Sequence, residues 1–161
     1  MPNWCRGTLK VRGKKKNVIE FMLKGLKPVG AGHSLSLNKF GDITSDETYW
    51  IENTYRGFVL GVDEFFSDYQ DEDIVTVALD SKFAHDIDSE ELLKTSKKYL
   101  VDMKIYGFEK GMQFNRNVEI INGEILKDEE INFDDYKWEC ICPNIGGWLE
   151  RRETNEFRRN Y

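Results

Sequence analysis

Few side chains in this sequence are suited to chemistry. Cys5, Cys140 and Cys142, with His33 and His85, are its only thiols and imidazoles in 161 residues. Cys140 and Cys142 would fall on one side of a strand, the spacing of a metal pair. A structural zinc site takes about four ligands, however, and only Cys5, His33 and His85 remain to complete it. The expectation is reduced structural thiols, no metal and no cofactor. Asp80, His85, Asp86 and Asp88 cluster along the chain, yet Asp88 and Glu91 have capping-box spacing, so the group reads as a loop and a helix start. No histidine stands near a serine, cysteine or carboxylate in an arrangement recognisable for acid–base or nucleophilic work. Gly30-x-Gly32 lacks the third glycine of a phosphate loop. The chain reads as a non-enzyme.

What remains is charge. The formal net charge is −6, unevenly spread. Residues 1–27 carry eight Lys/Arg against one acid, residues 28–149 carry eleven against twenty-five, and the last twelve carry four against three. Two surfaces of opposite sign are expected, each fitted to a different partner. The basic one consists of Arg6, Lys10 and Arg12, alternating along the first strand, and the run Lys14, Lys15, Lys16. The acidic one is Asp63, Glu64, Asp68, Asp71, Glu72 and Asp73, interleaved with Phe65, Phe66 and Tyr69. A calcium loop needs a twelve-residue ligand pattern with a central glycine, which this stretch lacks.

The elements that must position these groups follow from periodicity. Thr8, Leu9 and Val11 mark a strand from the start of the chain, with Leu9 and Val11 on one face. Asn17 and Glu20 predict a capped helix through Leu26, ended by Gly25 and Pro28. A loop at 29–34, a strand at Leu35–Asn38, and strands at Thr48–Tyr55 and Phe58–Val62 are expected next. Ile74–Leu79 reads as a central strand, and residues from Asp88 to about Met103 as a second helix. A strand at Met103–Phe108 follows, then a hairpin of Gln113–Ile121 with Glu124–Ile131 turning on Asn122-Gly123. That order predicts an α+β ferredoxin-like split β-α-β sandwich. It is an antiparallel sheet with two helices on one face, extended by a C-terminal hairpin and tail. The domain would span residues 1–131, with 132–161 an extension packed on it or trailing it. No apolar run approaches the roughly 20 residues of a membrane span, and no apolar signal core opens the chain, so a cytoplasmic protein is expected.

Met1-Pro2-Asn3-Trp4-Cys5, followed by Leu9, Val11 and Gly13, resembles the N-terminus of a ferredoxin-like (Api-like) family from phages, plasmids and other mobile elements. Glu109-x-Gly111-x-x-Phe114 and Asn122-Gly123 match a second stretch of that family. Tyr106 lies one residue out of its register, and Arg116 stands where glycine is usual. The resemblance implies the fold and a mobile-element origin, without catalytic residues. Some small proteins of such elements inhibit host defence systems. The leading expectation is therefore a protein-binding, anti-CRISPR-like inhibitor. Its acidic, aromatic loop would occupy a basic cleft on a host nucleic-acid enzyme such as a CRISPR nuclease. The alternative is an RNA or single-stranded DNA binding module using the sheet face and the basic first strand. Tyr106-Gly107-Phe108 echoes the aromatic run of an RNA-recognition motif without its leading basic residue.

Overall fold

Leu9 and Val11 are fully buried, and the strand that carries them, β1 (Trp4–Lys14), lies in the interior of a sheet between two antiparallel neighbours. The computed structural model describes residues 2–141. β1 leads directly into α1 (Lys15–Glu20), which tightens into a π-helical turn at Phe21–Gly25. There follow β2 (Leu26–Pro28), β3 (Ile43–Ile51), β4 (Gly57–Glu64) and β5 (Ile74–Ala84). After α2 (Ser89–Tyr99) come β6 (Asp102–Glu109), β7 (Phe114–Ile121), β8 (Glu124–Asn132) and the single turn α3 (Tyr136–Glu139).

The expected ferredoxin-like sandwich is not what forms. Most of the described chain is one eight-stranded antiparallel sheet in the order β2-β3-β4-β5-β1-β6-β7-β8, accompanied by three short helices. Two causes are visible. Residues 26–64, read as loop and a few strands, add β2 and β3 beyond β4 at one side, while β7 and β8 widen the other. The first helix also ends in a π turn that feeds straight into an unexpected strand, β2, at Leu26, which is buried. Residues 35–38, expected as a strand, are irregular.

The core lies on one side of this sheet. Leu9, Val11, Val77, Leu79, Met103 and Ile105 meet Val18, Phe21 and Met22 of the first helical segment and Leu92 and Tyr99 of α2. Each such buried aliphatic or aromatic side chain contributes roughly 1.5–3 kcal/mol. Gly7 and Gly107 face each other across β1 and β6. A Cβ on Gly107 would sit 2.5 Å from Ile87 and 2.6 Å from the Cys5 sulfur, so a bare backbone is what lets Ile87 rest on the sheet.

The helix starts divide between expectation and surprise. Asp88 caps α2, accepting from the backbone N–H groups of Glu90 and Glu91. Asn17 caps nothing, since α1 already begins at Lys15. The first free N–H groups of α1 instead reach the carbonyl oxygens of Asp73 (2.8 Å) and Asp71 (3.2 Å) in the acidic loop. Among the described residues, no helix is long and apolar enough to cross a membrane.

Candidate nucleic-acid interface on the open sheet face

Alternation along β1 sends Cys5, Gly7, Leu9 and Val11 to the core and Trp4, Arg6, Thr8, Lys10 and Arg12 to the opposite face. The register carries that second face across the sheet. Phe58, Lys82, Arg6, Phe108 and Asn115 form one cross-strand row from β4 to β7. Asp80, Thr8, Tyr106 and Asn117 form the next, and Ala78, Lys10, Lys104 and Glu119 the one after. Neighbouring strands are about 4.8 Å apart, so each row is a line of adjacent side chains.

Aromatic rings and cations are interleaved on this face. Trp4 meets Phe58 edge-on at 6.1 Å, with the Lys82 ammonium 4.5 Å and the Arg56 guanidinium 5.5 Å from its centroid. Tyr106 and Phe108 lie 5.2 Å apart, their planes inclined by 56°. Lys10 and Lys104 are direct cross-strand neighbours of like charge, an arrangement that disfavours folding unless an anion intervenes. Lys104 has Glu119 at 3.7 Å, while Lys10 makes no ion pair among the described residues. Arg12 is paired with Asp102 at 3.1 Å.

At the β7–β8 side, α3 crosses over this face. Asp135 caps it by accepting from Trp138 N–H, and Tyr136 hangs inward. The Tyr136 hydroxyl donates to Asn115 Oδ1 at 2.6 Å, and Asn115 Nδ2 donates to the Tyr106 hydroxyl at 3.3 Å. Between α3 and the sheet lies a groove of about 590 Å³, lined by Tyr106, Phe108, Ile131, Phe133 and Ile141, with Lys10 and Lys104 at its rim.

The acidic loop has a different fate from the one its composition suggests. Phe66 is buried in the core, and its N–H donates to Asp42 at 2.8 Å. Glu72 pairs with Lys14 at 2.6 Å and Lys16 at 2.5 Å, and Lys15 Nζ donates to the Tyr69 carbonyl. Those hydrogen bonds from Lys14 and Lys16 hold the Glu72 carboxyl down at about 2. Glu64 accepts from the Ala78 N–H, and burial pushes its carboxyl above the usual range. Asp63, Phe65, Asp68, Tyr69, Asp71 and Asp73 remain exposed. The expected acidic and basic surfaces thus meet, and Lys14, Lys15 and Lys16 fasten the loop to α1.

Among the described residues, the Cys5 thiol shows no nucleophilic setting. Cys5 is buried, and that burial, reinforced by Asp86 and Glu109, pushes its thiol far up. Cys140 lies buried at the end of α3, and Cys142 lies outside the described residues. His33 is exposed and bound to Glu47 at 3.0 Å, a hydrogen bond that raises the imidazole. No group of three or more His, Cys, Asp or Glu capable of holding a metal occurs among the described residues.

Sequence reasoning named Arg6, Lys10 and Arg12 but left Trp4, Phe58, Lys82, Lys104, Tyr106 and Phe108 unassembled. Their signal was the alternate positions of four strands, which converge only when the pairing order is known. No protein-family model, curated protein or solved structure matches the chain.

Proposed function

We propose that this protein binds single-stranded nucleic acid, RNA or DNA, across the open face of its sheet. The observation that carries the reading is the meeting of Trp4, Phe58, Tyr106 and Phe108 with Lys10, Lys82 and Lys104 on a face that α1 and α2 leave uncovered. Bases stack on such rings whatever their sequence, and ammonium groups at strand spacing follow the phosphates. Against a net charge of −6, the open face carries Arg6, Lys10, Arg12, Lys82 and Lys104 alongside the acids Asp80, Asp102 and Glu119. Asp86, Asp128 and Glu130 surround Arg116 on the opposite side of β7 and β8, and Glu72 is neutralised by lysines.

Fluorescence anisotropy with labelled 12-nucleotide RNA and DNA tests the proposal. Tyr106→Ala or Phe108→Ala is expected to weaken binding by the equivalent of about 1–3 kcal/mol each, and Lys10→Ala to flatten the salt dependence. Full affinity in the combined variant Tyr106→Ala/Phe108→Ala would contradict it.

A second reading keeps the mobile-element inhibitor and its host-protein partner. It is favoured by Phe65, 63 % exposed beside Asp63 and Asp68, an aromatic anchor in an acidic setting. Co-purification of a basic nucleic-acid enzyme that is lost with Phe65→Ala and Asp68→Lys would select it.

A further inference from the structure

The groove between the sheet face and α3 goes beyond general stacking. Its volume of about 590 Å³ lies within the roughly 300–1,000 Å³ of small-molecule sites. Tyr106 and Phe108, their rings inclined by 56°, line it from β6, and Phe133 lines it from the chain between β8 and α3. Its floor is Asn115, 2 % exposed, with both amide atoms engaged by tyrosine hydroxyls. Its rim holds Lys10 and Lys104, cross-strand neighbours, with Glu119 at 3.7 Å from Lys104 and Glu139 of α3 also lining the groove. Aromatic rings in the lining fit a planar, weakly polar body, and the lysines at the rim fit an anion attached to it.

We infer that this groove receives one unpaired nucleotide, its base between Tyr106, Phe108 and Phe133 and its phosphate at Lys10 and Lys104. The inference rests on the open face being a nucleic-acid surface and adds a discrete subsite to it. A strand crossing the sheet would then be held at two places, the Trp4–Phe58 patch and this groove. A free 5′-mononucleotide would occupy the second alone.

Titration of the protein with AMP, CMP, GMP and UMP, followed by calorimetry and by the NMR signal of the Asn115 side-chain amide, tests this. Saturable mononucleotide binding that shifts the Asn115 amide is expected, with the matching nucleosides about tenfold weaker for want of the phosphate. Ile131→Glu places a carboxylate on the groove wall at a position 37 % exposed and compatible with folding, which circular dichroism verifies. It should abolish mononucleotide binding while the 12-nucleotide strand still binds, more weakly, through the Trp4–Phe58 patch. No mononucleotide binding, with oligonucleotide affinity untouched by Ile131→Glu, would overturn the subsite and leave the open-face reading standing. Absence of both would overturn the two together. Preferential filling of the groove by dodecanoate would also overturn it, making the site one for an aliphatic acid.

Discussion

Glu109 is 1 % exposed, yet its carboxylate is spent on a turn, accepting from the N–H groups of Gly111 at 2.8 Å and Met112 at 2.6 Å. The Glu109-x-Gly111-x-x-Phe114 pattern therefore has a local explanation. The acid clamps the β6–β7 connection, a Cβ on Gly111 would press Asn3 at 2.9 Å, and Phe114 enters the core. Gly107 is as constrained by its neighbours, and Gly107→Ala should lower stability by about 1–3 kcal/mol, seen as a reduced urea midpoint with an unchanged slope. Glu72 yields a pH prediction. Its folded carboxyl, held at about 2, lies below the ordinary glutamate value, so the tie to Lys14 and Lys16 is complete above the unfolded value. That tie is lost as pH falls from roughly 4.5 toward 2. Amide NMR shifts of Lys15 and Lys16 should move in that window, and Glu72→Gln should abolish the movement. Because these side chains are exposed, salt should weaken the same tie.

The elements divide according to whether their determinants are local. The β7–β8 hairpin was legible because Asn122 and Gly123 adopt φ of 52° and 71°, the positive pair that a two-residue turn between twisted strands demands. Gly123→Ala should cost about 1 kcal/mol or more and loosen β8 first, visible as lost hydrogen-exchange protection in β7 and β8. The α2 cap was equally legible, since Asp88 lies beside the groups it serves. The start of α1 was not, because its N–H partners are backbone carbonyls more than fifty residues away at Asp71 and Asp73. Such bonds leave no trace in side-chain spacing. The same distance hid the fate of the acidic loop. Its composition described a free negative surface, whereas its carboxylate Glu72 and the Tyr69 carbonyl hold the lysines at the β1–α1 junction.

At the scale of the whole molecule, alternation gathers Lys10, Arg12, Lys82 and Lys104 on the open face among Asp80, Asp102 and Glu119, while Asp86, Asp128 and Glu130 gather round Arg116 on the other side. The basic first strand could be read from the sequence. Its partners could not, because Phe58 and Tyr106 reach it only through the order β4-β5-β1-β6. The breadth of the sheet also escaped the sequence, because β2 is three residues long and opens on Leu26 directly from a helical turn. The central claim is that the uncovered face is a nucleic-acid surface, and anisotropy of a labelled 12-nucleotide RNA across a salt series tests it most directly. Binding at low salt is predicted, with log K falling linearly against log salt by about 0.7 per phosphate contacted, and with a smaller slope in Lys10→Ala/Lys104→Ala. No binding at 20–50 mM salt, or a slope the double variant leaves unchanged, would contradict it.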